Sequence, residues 1–149
     1  MKKKLSALIC GAIMTLSSMA FASVPSDQVI LGDLQPGIHV DKVKEIYGEP
    51  LRVVGDKWLY RGFYIELSDE QRNIVEEVAT EDSGFATQYG IIVGMSENEL
   101  TKAYGTADDI DFDDDSNERE YTYYSSDGKY KMNFDVRNGV IVKIKCELR

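Results

Sequence analysis

The chain has 149 residues, of which 43% are hydrophobic, and it carries 26 acidic against 17 lysine and arginine side chains, for a formal net charge of −9. This length is enough for one compact domain and too short for two large independent cores. The negative charge disfavours nucleic acids and anionic membrane surfaces as partners, because both would repel the chain at long range.

Residues 1–22 have the pattern of an export signal. Three lysines at positions 2–4 precede an apolar run, and Ala20-Phe21-Ala22 gives the small-x-small pattern of a signal-peptidase site. The run is shorter than the roughly 20 apolar residues that a transmembrane helix needs. We therefore expect cleavage near Ala22, no transmembrane segment, and an exported protein that is periplasmic or secreted.

Two segments of the chain resemble each other. Gly37 to Pro50 (GIHVDKVKEIYGEP) returns in altered form 57 residues later as Gly94 to Ala107 (GMSENELTKAYGTA). A repeat of this period predicts a duplicated supersecondary unit whose copies bury apolar faces against each other. We divide the chain into a signal peptide (1–22), an N-terminal lead-in (23–33), a first repeat (34–80), a linker (81–90) and a second repeat (91–149), with the repeats packed as one compact domain.

Each repeat is predicted to begin with a short helix. In the second copy, Ser96 and Glu99 have the spacing of a capping box, and Gly105 follows the last helical position. In the first copy, His39 takes the place of Ser96, and Gly48 is the matching C-terminal cap. A lone histidine at a helix start, without a neighbouring nucleophile, does not indicate catalysis.

After each helix the hydrophobic period changes from 3.6 to 2, which predicts strands. The second copy alternates over residues 121–123, 130–136 and 140–146, with Asp127-Gly128 and Asn138-Gly139 as tight turns. The first copy alternates over residues 58–60, 63–67 and 74–79. The expected fold is α+β: two tandem repeats, each a short helical segment followed by a three- to four-stranded antiparallel meander, with the helices on one face of the sheet or sheets.

The motif Gly-Met-Ser-x-x-x-Leu-x-x-x-Tyr-Gly-Thr (94–106), followed by Tyr121-Thr122-Tyr123 and by residues 139–144, resembles the SmpA/OmlA family of outer-membrane barrel-assembly lipoproteins (BamE). Two such units in one exported chain resemble the β-lactamase inhibitor protein (BLIP) family, whose tandem repeats form a concave sheet that grips a protein. The resemblance implies a protein-binding fold. This chain lacks the lipidated cysteine of the first family and the paired cysteines of the second, so neither function transfers whole.

The strand alternation also predicts which side chains face away from the helices. Charged residues and tyrosines alternate there with the core positions, and tyrosines flanked by charges are favoured at protein interfaces. The candidate partner-binding residues are Arg61, Tyr64 and Glu66 in the first repeat and Tyr124, Lys131, Asn133, Ile141, Lys143 and Lys145 in the second. The alternative is a solvated face whose lysines protect exposed strands.

The acidic segment from Asp108 to Glu120 lengthens the helix-to-strand connection of the second repeat. Five oxygen-bearing side chains follow the spacing of a calcium-binding EF-hand loop: Asp109, Asp111, Asp113, Asn117 and Glu120. Asp114, however, stands where that loop requires glycine. A calcium site is one interpretation, and a mobile acidic loop extended by self-repulsion is the other.

No spacing in the chain indicates a nucleophile with its base or a buried acid pair, so we expect no enzyme and no cofactor other than that calcium ion. The favoured function is an exported, non-enzymatic interaction module that binds a protein partner through the open face of its antiparallel sheet, BLIP-like in architecture. Two alternatives stay open: an envelope-maintenance factor related to the SmpA/OmlA proteins, and a calcium-binding exported domain. The sequence leaves the oligomeric state undetermined.

Overall fold

The structure of the protein, a computed structural model, describes residues 23–149, so the predicted signal peptide lies outside the described residues. A short 3-10 helix (Ser26–Gln28), two α-helices and eight strands follow in chain order. The α-helices and strands are labelled here. They are α1 (Val40–Tyr47), β1 (Arg52–Val54), β2 (Lys57–Leu59), β3 (Tyr64–Leu67), β4 (Val75–Thr80), α2 (Glu97–Tyr104), β5 (Asp109–Asp113), β6 (Glu118–Tyr124), β7 (Tyr130–Arg137) and β8 (Val140–Leu148). Neither helix has the length and hydrophobicity to span a bilayer.

All eight strands form one antiparallel sheet in the order β1-β2-β3-β4-β8-β7-β6-β5. Strands β1 to β4 pair with their sequence neighbours, and so do β5 to β8. The two meanders join where β4 pairs with β8, with Val78 opposite Cys146. The last strand of each meander is therefore central in the sheet, and the first strand of each, β1 or β5, is an edge.

The predicted α+β class of two helix-plus-meander repeats is wrong. One continuous sheet runs through both halves, and each helix has only eight residues. The protein is mainly a β-sheet fold. The hydrophobic alternation within each strand does not predict the β4–β8 pairing, because the pattern of one strand does not specify which strand lies next to it in the sheet. The acidic segment, expected to be a connection, also contributes the edge strand β5.

The predicted helix ends are confirmed. The Ser96 hydroxyl accepts a hydrogen bond from the Glu99 backbone N–H, and the Glu99 carboxylate accepts one from the Ser96 N–H at 2.8 Å. At the start of α1, the His39 Nδ1 accepts from the Asp41 N–H at 3.2 Å. Gly48 and Gly105 follow the last turns with φ of 79° and 76°, which favours glycine at both caps.

The core lies between the sheet and the helices. Val43 of α1 and Leu100 of α2 are fully buried there, together with Leu31 and Leu34 of the lead-in. Each helix ends in a tyrosine that enters an aromatic cluster. Tyr47 lies 4.8 Å from Phe63 between ring centroids, and Tyr104 lies 5.2 Å from Phe134. Both helices thus pack on the same face of the sheet, and the opposite face is called the open face below.

Candidate functional site

The open face consists of cross-strand rows of polar side chains. In an antiparallel sheet, directly opposed residues on one face have Cβ atoms about 5 Å apart, so the register fixes which side chains meet. One row is Lys57, Glu66, Glu77, Glu147, Lys131 and Tyr124; the next is Leu59, Tyr64, Ala79, Lys145, Asn133 and Thr122; a third is Lys143, Asp135, Glu120 and Asp111.

Most of the predicted partner-binding residues meet on this face. The structure places Tyr64, Glu66, Tyr124, Lys131, Asn133, Lys143 and Lys145 there. Arg61 does not belong to a strand and lies, exposed, in the connection between β2 and β3. Asn133 is nearly enclosed by its neighbours, with 3% of its surface exposed.

Ile141 lies on the other face of the sheet, because it is fully buried on the helix side. Its backbone N–H donates to the Met95 carbonyl at 2.9 Å, beside the start of α2. The register shifts at this point: Asp135 is opposite Lys143, but Val136 is opposite Ile141. The additional residue in β8, Val142, reverses the alternation of side chains, as a β-bulge does. Strict alternation therefore placed Ile141 on the wrong face.

The lysines of the open face are largely paired with carboxylates. The ammonium of Lys145 lies 2.7 Å from a Glu120 carboxylate oxygen, and that of Lys131 lies 3.2 Å from Glu147. On the other half of the sheet, Lys57 lies 2.8 Å from Glu66. Acidic side chains from neighbouring strands therefore lie beside each of these three lysines and neutralise their charge.

Carboxylates instead form two open clefts on this side of the protein. A cleft of about 490 Å³ is lined by Asp111, Asp113, Glu118, Glu120 and Asp135, with Phe112 and Ser116. A second cleft, of about 370 Å³, is lined by Asp56, Glu66, Asp69, Glu76, Glu77 and Glu147, with Leu67. The first lies at the β5–β7 end of the sheet and the second over β3, β4 and β8. Some of these carboxylates are in ion pairs, but three in the first cleft and four in the second form none with the described lysines and arginines: Asp111, Asp113 and Asp135, and Asp56, Asp69, Glu76 and Glu77. Both clefts therefore keep an excess of negative charge.

The carboxylates of the first cleft interact with one another. The pKa of Asp135 is raised to about 6, mainly by burial and also by the neighbouring carboxylates of Glu120 and Glu118, against the opposing effect of Lys145. Burial also opposes ionisation of Glu120, but its hydrogen bonds with Lys145 and Asn133 and the charge of Lys145 together outweigh this and lower the Glu120 pKa. The Asp135 Oδ1 is buried and accepts no hydrogen bond. Asp135 is therefore the least favourably placed charge on the open face.

Replacing Asp135 with asparagine is expected to stabilise the protein at neutral pH. Because the folded state holds the Asp135 proton up to about pH 6, wild-type stability falls as the pH rises from about 4 to above 6. Asp135→Asn removes this loss, which we expect to be about 1 kcal/mol since water screens a half-exposed carboxyl. Urea unfolding at pH 4 and pH 7 measures it. Asp114→Asn is the matched control, and an equal gain at both pH values would contradict the expectation.

The five residues predicted to bind calcium do not converge. Asp109, Asp111 and Asp113 lie along the extended strand β5, where a rise of about 3.4 Å per residue places the first and last about 14 Å apart. Asn117 is in the β5–β6 turn at φ 54°, and its amide donates to Asn138. Calcium ligands must all lie about 2.3–2.6 Å from the ion. The EF-hand arrangement is therefore not formed, although Asp111 and Glu120 are direct cross-strand neighbours.

No protein-family model matches the chain, and no curated protein matches it. Two solved structures are similar to it in fold. The DUF4309 family protein YjgB from Bacillus subtilis is 17% identical, with a TM-score of 0.54 over 74% of this chain and 78% of that one. A cysteine-rich secretory protein from Staphylococcus aureus is 10% identical, with a TM-score of 0.53 over 85% of this chain.

The chain spans about half, 49%, of the length of the staphylococcal protein. Neither structure represents the BLIP or SmpA/OmlA families, so those resemblances stay predictions. Identities this low show the fold alone, because unrelated functions share folds. What the comparisons establish is that this sheet architecture occurs in other bacterial proteins, one of them described as secretory.

Proposed function

We propose that the protein is an exported, non-enzymatic interaction module whose open face binds a protein partner, and that the contacting surface of this partner is basic. The observation that carries the proposal is the pair of carboxylate-lined clefts at separate positions on one sheet face. A partner whose basic groups are spaced to reach both clefts gains favourable electrostatic energy in each cleft, whereas an acidic surface is repelled. The similarity to a secretory protein supports export.

The dimensions of the face favour a protein over a small molecule. Eight strands about 4.8 Å apart extend over more than 30 Å, the scale of a standard protein interface. Small-molecule sites are enclosed and mostly apolar, whereas both clefts are open and acidic. Tyr64 and Tyr124 offer aromatic surface, and each is already near a cation: Lys57 lies 4.0 Å from the Tyr64 ring centroid and Arg149 lies 4.4 Å from that of Tyr124.

The neighbouring carboxylates Glu120 and Asp135 are the strongest argument for an enzyme instead. They are directly opposed on β6 and β7, and their pKa values are moved in opposite directions. Glu120 is, however, held by the ion pair with Lys145 at 2.7 Å. That pairing makes this carboxylate a poor nucleophile or base, and it supports a structural role for the pair on a binding face.

Reversing charge in both clefts should weaken the capture of the partner. Asp69→Lys with Asp113→Lys changes one exposed wall residue of each cleft. We expect about tenfold less captured partner, corresponding to about 1.4 kcal/mol. Residues 23–149 are immobilised, exposed to envelope extract of the source cell, and the bound proteins are quantified by mass spectrometry.

The control is Asp41→Lys with Glu45→Lys on α1, an equal change of net charge on the helix side. The control should capture the same basic proteins as the wild type, and added salt should release them, because screening weakens exposed ion pairs. Equal capture by the cleft variant and the wild type would refute binding through the open face. Captured proteins that are predominantly acidic would refute the proposed charge of the partner.

A further inference from the structure

Exposed apolar side chains collect at the two edges of the sheet. Of the large hydrophobic residues that are exposed in the described chain, three lie on β1 or next to it in sequence and two lie on β5. The first group is Leu51, Val53 and Val54, and the second is Ile110 and Phe112. Leu51 is 71% exposed and Val53 is 51% exposed. Clustered exposed apolar groups mark interaction sites, whereas isolated ones are ordinary.

The two edges differ in their protection against pairing. On β5, aspartates at 109, 111 and 113 alternate with the apolar residues, and charges at an edge strand block edge-to-edge association. Strand β1 has one charged residue, Arg52, and its register with β2 is regular, without a bulge. Its outer side has no neighbour in the sheet. The backbone groups directed outward from β1 are therefore open to another strand.

We propose that β1 is a self-association site, at which two copies of this chain pair antiparallel around Val53 and join their sheets into one. In this register Val53 is opposite Val53 of the second copy, and Arg52 is opposite Val54, so no like charges are directly opposed. Such a contact is symmetric and closes at two subunits. The corresponding pairing of β5 around Asp111 would set Asp109 against Asp113 and is repelled.

The helix side of β1 fits the same arrangement. Val53 is opposite Trp58 of β2, which belongs to the row of core-facing residues, and it therefore projects toward the helix side. Pairing two β1 strands would bring both Val53 side chains together and remove this apolar surface from water, which is favourable at roughly 25 cal/mol per Å².

The response to salt concentration distinguishes self-association through β1 from partner binding at the open face. Two copies of residues 23–149, which keep all 26 acidic side chains and lack the three lysines at positions 2–4, repel one another, so added salt should strengthen the dimer. Binding of a basic partner to the acidic clefts should weaken instead. A failure of either proposal thus leaves the other testable.

Sedimentation velocity of residues 23–149, from micromolar to several hundred micromolar, tests the proposal. We expect a monomer–dimer equilibrium for the wild type and at least a tenfold weaker dimer for Val53→Lys. Ile110→Lys is the matched control, because it adds the same charge at a half-exposed apolar position of the β5 edge. It should dimerise as the wild type does. Circular dichroism establishes that both variants are folded.

Concentration-dependent hydrogen exchange provides a second measurement. Outward amides of β1 should exchange more slowly at high protein concentration, and those of β5 should not. Three outcomes would overturn the proposal: a wild type that stays monomeric at several hundred micromolar, a Val53→Lys variant that dimerises as tightly as the wild type, and a series of growing oligomers, which indicates head-to-tail pairing of β1 with β5.

Discussion

Phe134→Ala is expected to lower the free energy of unfolding by about 3–5 kcal/mol, the usual cost of removing a buried aromatic ring. Phe134 has no exposed surface. Its ring lies 5.2 Å from Tyr104 and 5.8 Å from Tyr123 between centroids, so it connects the end of α2 to β6 and β7. Alanine leaves a cavity under α2 and removes the contacts that hold this helix on the sheet.

Phe134→Ala should also destabilise the other half of the sheet, because β8 of the second meander pairs with β4 of the first. Trp58, the one tryptophan of the chain, lies on β2 and reports on the first half. Urea unfolding followed by Trp58 fluorescence and by far-ultraviolet circular dichroism should give one coincident transition at lower urea.

The control for this experiment is Phe112→Ala on the exposed edge strand, where a ring that is 52% exposed should contribute within about 0.5 kcal/mol. If Phe134→Ala does not change the urea midpoint of the Trp58 fluorescence transition, the two meanders unfold independently. Coincident transitions would mean that the protein is one cooperative unit, since the central strands stabilise each other.

Features that depend on neighbouring residues could be predicted from the sequence. The capping box of Ser96 and Glu99 lies within one helical turn, and its hydrogen bonds follow from spacing alone. The Asn138-Gly139 turn could also be predicted from adjacent residues, and both residues have the positive φ that such turns demand. Each of these signals is complete within a few residues of sequence.

Strand β5 was missed although its signal is present. Asp109, Asp111 and Asp113 alternate with Ile110 and Phe112, which is the period of a strand with one apolar and one polar face. The density of acidic residues favoured a loop instead. Backbone pairing with β6 nevertheless forms a strand here, and Ile110 and Phe112 project to the side opposite the aspartates.

The electrostatics of the open face could not be predicted, because they depend on strand pairing. The sequence places Lys131 and Lys145 on one face but gives no register for their neighbours. In the structure Glu147 faces Lys131 from β8, and Glu120 reaches Lys145 across β7. The charges of Lys131 and Lys145 are therefore neutralised by neighbouring strands, and the clefts of the open face are acidic.

Gly62→Ala is expected to cost about 2–4 kcal/mol of stability, from two separate effects. Gly62 has φ +84°, where a side chain is strained, and an added Cβ would lie 2.9 Å from the Phe85 ring. Gly55→Ala is the matched control: Gly55 has φ +60° but no atom within 4 Å of an added Cβ, so it should cost only about 1–2 kcal/mol.

The difference between the two variants, measured by urea unfolding, isolates the steric effect of the aromatic cluster. Phe85 lies 5.0 Å from Phe63 between ring centroids, and Phe63 lies 4.8 Å from Tyr47 at the end of α1. Displacing Phe85 therefore loosens the contact that holds α1 against the first half of the sheet. Equal costs at Gly62 and Gly55 would show that Phe85 moves aside freely, and that α1 depends on its other contacts.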